Sequence, residues 1–198
     1  SWPTAADITN NDFNNVAGPA LDGWEVNEAT ISGNNFANCW QGINLNFNDN
    51  PAYGNDILIE QNSFTNTAWM PIEVGPGGAY TSNLVVRGNW SDNSNVSDPE
   101  GGVAYSIIST NGVGTLIEGN YAVGPEGPGI GIEMAGEGQV TGNYVDTFQF
   151  GIIAYGDGPF TVADNATINA SIESVVNYHG GNGVIEVEIH FLPTVYVP

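Results

Sequence analysis

Lysine is absent from the chain and arginine occurs once, at Arg87, against 22 acidic residues, so the formal net charge is -21. That deficit excludes nucleic acid as a partner, because displacing counterions from phosphates takes Lys and Arg. Acidic polysaccharides and anionic membranes are disfavoured unless a cation bridges the surfaces. Such self-repulsion opposes a compact state unless ions screen it, so a halophilic source is expected. Cysteine is nearly missing as well: Cys39 stands alone, and stability must come from packing and backbone pairing without an intrachain disulfide. No apolar run reaches the length of about 18 residues that spans a bilayer, so no membrane insertion is expected. Nor does a 3.6-residue apolar period persist anywhere, which argues against helices. No Met or signal peptide precedes Ser1-Trp2-Pro3, as expected of a processed mature protein or an excised fragment.

Hydrophobic residues are plentiful, at 41%, which separates this acidic chain from a disordered one. Their arrangement is repetitive. Seven segments carry a β-branched residue, two further residues and Asn: Ile8 to Asn11, Ile31 to Asn34, Ile59 to Asn62, Val86 to Asn89, Ile117 to Asn120, Val140 to Asn143 and Val162 to Asn165. A second apolar segment follows most of them, as in Ile43-Asn44-Leu45, Ile72-Glu73-Val74, Ile130 to Met134, Ile152 to Tyr155 and Val175 to Tyr178. Units this short hold strands and Gly/Asn turns and leave no room for a helix. Antiparallel sandwiches and propellers also give many short strands, but they do not explain an Asn fixed in phase with an apolar residue. Each unit reads as one turn of a solenoid, with β-branched residues stacked inward and Asn at a corner. There Asn is expected to adopt the left-handed backbone of a tight bend and to bond the Asn of the next turn.

The pattern resembles the parallel β-helix repeat family, the fold of pectate lyases, polygalacturonases and tailspike depolymerases, over Ile8 to about Tyr178. The resemblance implies an all-β, right-handed parallel β-helix of about seven coils. Its Asn ladder, Asn11, Asn34, Asn62, Asn89, Asn120, Asn143 and Asn165, would lie between the second and third strands of each coil. Gly42-Ile43-Asn44-Leu45 would then be a first strand. Outward positions on the first-strand face would be Asn44, Asn46, Glu73, Glu133, Ile153, Tyr155, Val176 and Tyr178, the face on which such proteins bind glycans. Coils are expected over residues 1–183, followed by a C-terminal capping strand and apolar tail over 184–198, with prolines that discourage further pairing. Almost nothing precedes Ile8 to cap the other end, so a homo-oligomer or larger assembly through the coil ends is expected, a trimer being the family precedent in viral spikes.

Catalytic signatures are sparse. Pectate-lyase-like chemistry uses Arg or Lys, and Arg87 falls on a second strand, away from the glycan face; the Asp motifs and Gly-His-Gly of polygalacturonases do not occur. The nucleophile-elbow, phosphate-loop, zinc-protease and Cys-x-x-Cys patterns are also missing. Glu133 and Asp157 fall on neighbouring coils and are the candidate acid and base. His179 reads as a surface residue beside a turn. Calcium is the cofactor worth testing, with Asp49 and Asp56, or Asp92, Asp98 and Glu100, as oxygen ligands in loops. Asn44, Asn46, Glu73, Tyr155 and Tyr178 are the candidate glycan-binding residues, the two tyrosines occupying equivalent positions on successive coils. Sequons at Asn89, Asn95, Asn165 and Asn169 suit a secreted protein with surface loops. These features point to a noncatalytic extracellular or surface module for glycan recognition or assembly, such as a viral spike, envelope or filament component. The rival is a polysaccharide-degrading enzyme, a glycoside hydrolase or depolymerase.

Overall fold

The computed structural model describes residues 5–47, 54–75, 81–92, 94, 106–124, 129–156 and 158–171, together with the backbone of 173–178 and 184–185. Every described element is a β-strand and every pairing is parallel. The strands stack in three columns. Seven third strands of three residues each, from Asp12–Asn14 to Ala166–Ile168, form one sheet. First and second strands make a thirteen-stranded sheet. It is continuous because Ser106–Glu118 and Ile130–Thr141 run from a first strand around the corner into a second. Six turns thus separate the lowest from the highest of the seven third strands. The protein is an all-β parallel β-helix.

Its interior is a set of columns. The β-branched residue of each repeat points inward: Ile31, Ile59, Val86, Ile117, Val140 and Val162 are 0–1% exposed and stack from strand to strand. First strands contribute Ile43, Ile72, Ile108, Ile132 and Ile152 in one register. In the third-strand column Phe13, Phe36 and Phe64 lie face to face, with centroids 4.9 and 4.8 Å apart. These spacings match the separation of adjacent strands, so identical residues fill identical holes.

The asparagines form the polar counterpart. Oδ1 of Asn34, Asn62, Asn89, Asn120, Asn143 and Asn165 accepts both the backbone N–H and the Nδ2 of the Asn one turn earlier, at 2.9–3.0 Å. Each Nδ2 also donates to a carbonyl of the preceding coil: Asn34 to Ile8, Asn62 to Ile31, Asn89 to Ile59, Asn120 to Val86, Asn143 to Ile117 and Asn165 to Val140. That carbonyl belongs to the β-branched residue of the repeat, three positions before the Asn. The fixed phase therefore has a cause: one position supplies the inward side chain and, from its backbone, the acceptor for the next Asn.

Two expectations need correction. The left-handed bend is taken not by the ladder Asn but by the residue before it, Asn10, Gly33, Gln61, Gly88, Gly119, Gly142 or Asp164, with φ between 54° and 65°. This frees the Asn backbone N–H to point along the ladder. The second correction concerns two sequons: Asn89 is 3% exposed, and the amides of Asn89 and Asn165 are engaged in the ladder, so neither is a surface-loop acceptor. Asn169 is exposed, and Asn95 lies outside the described residues. Val184–Ile185 pairs in parallel with Thr161 and Val162, continuing the second-strand column; residues 186–198 lie outside the described residues.

Candidate functional site

Register fixes what the first-strand face presents. One outward column runs Asp22, Asn44, Glu73, Ser109, Glu133, Ile153 and Val176, in that order up the rod. A neighbouring column holds Trp24 beside Asn46 and, higher up, Tyr155 beside Tyr178. Ile153 is only 7% exposed although its position is outward, and the side chains of Val176 and Tyr178 lie outside the described residues. Asp157, Asp49, Asp98, Glu100 and His179 also lie outside them, so the Glu133–Asp157 and calcium-loop groupings receive no geometry. Asp92 ends a third strand and Asp56 accepts from Asn83 Nδ2.

The carboxylates of the face are held rather than waving in solvent. Glu73 Oε2 accepts from Nε2 of buried Gln41 at 2.8 Å. Two strands further up, Glu133 accepts from Ser106 Oγ at 2.7 Å and from the Tyr155 hydroxyl at 2.9 Å. In both cases the donor on the lower side, Gln41 or Ser106, opens the first strand of the coil beneath, so one device is used twice. Burial raises the Glu73 pKa above the usual carboxylate value, the Gln41 hydrogen bond opposes this, and the charge of Glu133 adds to it. Burial, together with the charge and hydrogen bond of Glu133, keeps Tyr155 protonated well above the normal phenol range.

Tryptophans stand at the two edges of this polar strip. Trp40, 39% exposed, lies where the chain enters a first strand and stacks on Trp69 with centroids 5.1 Å apart. Trp24, 46% exposed, lies where the lowest first strand ends. Sequence reasoning missed Gln41, Ser106, Ser109 and both tryptophans. Aligning the chain on its Ile43, Ile72, Ile108 and Ile132 positions would have brought them together. A further aromatic column, Trp90, Tyr121 and Tyr144, stacks on the outside of the third strands, with centroids 6.2 and 4.8 Å apart.

The family model described as periplasmic copper-binding protein (NosD) matches residues 3–184. The chain belongs to the NosD family. This is a family of right-handed parallel β-helices, so the hand expected from the repeat is the hand of the fold. No curated protein and no solved structure matches the chain. The NosD description gives an extracytoplasmic location, in keeping with the surface location expected from the sequence, and no helix among the described residues is long and apolar enough to cross a membrane. The chain is thus an extracytoplasmic β-helix module of a family described by what it binds.

Copper does not fit the described residues. Its soft or imidazole donors would be Cys, Met and His. Cys39 is buried and donates to the carbonyls of Phe13 and Ala37; Met70 and Met134 are buried, on different coils. His179 and His190 are the only histidines of the chain and lie outside the described residues. Among the described residues no three of His, Cys, Asp and Glu gather at one point, which leaves calcium without support as well.

Proposed function

We propose that the protein is a noncatalytic glycan-recognition module and that its first-strand face is the binding surface. The observation that carries this reading is the pairing of exposed Trp24 and Trp40 with a strip of fixed hydrogen-bonding groups, Asp22, Asn44, Asn46, Glu73, Ser109 and Glu133. Flat apolar rings beside acceptors and donors suit the faces and hydroxyls of a sugar. The glycan is uncharged, because Asp22 and Glu133 repel uronates and Arg87 is committed to Glu60 on the second-strand face, at 2.8 Å.

Association through a coil end belongs to the same reading. Ala6, Ile8, Phe13, Val16 and Ala20 pack against the core yet remain partly exposed at the lower end, and among the described residues the strands there pair on one side only. A halophilic source, with molar salt screening the acidic surface, completes it.

A panel of neutral and acidic polysaccharides tests the proposal, with copper titrated in parallel. Retention of neutral glycans by the wild type, weakened in Trp40→Ala, supports it. Release of reducing ends that stops in Glu133→Gln would replace it with the hydrolase reading. Stoichiometric copper binding without glycan binding would favour the function in the family description.

A further inference from the structure

Asn44 sits between two carboxyl groups in one outward column, paired in register with Asp22 below and Glu73 above. Its Nδ2 donates to Asp22 Oδ1 at 3.0 Å, which turns Oδ1 to the Glu73 side. That oxygen is buried and has no hydrogen-bond partner among the described residues. Rotating the amide does not help, because the oxygen would then face the Asp22 carboxylate instead. An amide has one donating edge, and a carboxylate on each side asks for two. The missing donor has one economical source, a proton on one of the carboxyls. Asp22 is exposed to water, whereas Glu73 is half-buried and already accepts from Gln41 through Oε2, leaving Oε1 for the proton.

We propose that Glu73 is held as a neutral carboxylic acid, donating from Oε1 to Asn44 Oδ1, at pH values where an ordinary glutamate has lost its proton, and that its ionisation weakens ligand binding on the first-strand face. The hydrogen bonds then run in one direction, from Glu73 to Asn44 to Asp22. Among the described residues, the strand below Glu73 brings no titratable group and the strand above brings Ser109. One strand beyond each lie Asp22 and Glu133, both acidic, and Tyr155 lies past Glu133. Among the described residues no cation faces the site, so every charged neighbour described favours the proton. The raised pKa of Glu73, caused first by burial, points the same way.

The gating half of the proposal rests on the glycan reading, and the proton half does not. Carbon-13 carboxyl NMR of glutamate-labelled protein reads the proton directly, with the Glu73 signal assigned by its loss in Glu73→Gln. The expected result is one glutamate titrating above the others; a Glu73 signal that moves with the rest overturns the proposal. Glu73→Gln keeps a donor toward Asn44 and an acceptor toward Gln41, so it should retain the fold and bind a neutral oligosaccharide independently of this ionisation. The wild type should lose about tenfold in affinity as pH rises through it, the scale of leaving a buried acceptor unpaired. Equal pH profiles for the two proteins would overturn the gate while leaving glycan binding intact. If no oligosaccharide binds at any pH, the glycan reading and the gate fall together, and the NMR titration still decides the proton.

Discussion

A single asparagine in the middle of the ladder makes more bonds than its size suggests. Asn62 accepts twice through Oδ1, donates through Nδ2 to Ile31 and Asn89, and is 1% exposed. Replacing it with Ala strands the backbone N–H and one amide hydrogen of Asn34 in the interior. We expect Asn62→Ala to cost about 3 kcal/mol or more, and Asn11→Ala, at the exposed lower end, about 1 kcal/mol. Urea unfolding at fixed salt distinguishes this gradient from a uniform cost. Asn and its β-branched partner were legible in the sequence because both recur at fixed spacing. The left-handed bend was assigned one residue too late, since that position varies among Asn, Gly, Gln and Asp and carries no single residue type to read. Glu73 was legible as outward but not as half-buried, because its cover comes from tertiary neighbours. Its raised pKa implies that the stability it contributes is full below the ordinary glutamate pKa and is lost as pH rises through the folded value.

At the scale of elements, the third strands were implied by the family resemblance but not located in the residues. They are three residues long, with a single inward side chain each, too short for alternation to register. The ladder itself offers the missing phase: the residue after the Asn is Trp90, Tyr121 or Tyr144, and the second residue after it is Phe13, Phe36 or Phe64. Both aromatic columns follow once the chain is aligned on its asparagines. The corner between first and second faces depends on close backbone approach instead. At Gly136, φ is 99° and an added Cβ would meet the carbonyl oxygen of Gly112 at 2.1 Å. The atoms it would meet all belong to the Gly112 backbone, which leaves nothing flexible to yield, so Gly136→Ala should destabilise by about 3 kcal/mol or more through strain and displaced pairing. Gly119→Ala is the control. No atom lies within 4 Å of a Cβ added there, so only the left-handed backbone, φ 61°, penalises it, at about 1 kcal/mol. A thermal melt of the two variants compares them.

For the whole molecule, parallel pairing brings like residues into register, and this joins stability to function. Stacked Ile and Phe make the core, while stacked Asp, Asn and Glu make a face whose charges meet no cation among the described residues. With a net charge of -21, the fold should gain from screening: melting temperature is expected to rise as salt goes from dilute to molar, by about 2–4 °C for each kcal/mol gained. An unchanged melting temperature would remove the halophile inference. The fold could be read from sequence because solenoid contacts are local between neighbouring turns and repeat. The proposed binding face could be placed but not furnished, because Gln41 and Ser106 meet the carboxylates, and Trp40 meets Trp69, only through the register between coils.

The central claim is that recognition resides on the first-strand face and nowhere else on the rod. Calorimetric titration of one neutral oligosaccharide into the wild type, Trp40→Ala and Trp90→Ala tests it most directly. Binding should fall at least about tenfold in Trp40→Ala and persist unchanged in Trp90→Ala, whose ring lies on the third-strand face. Loss in Trp90→Ala with binding intact in Trp40→Ala would contradict the account.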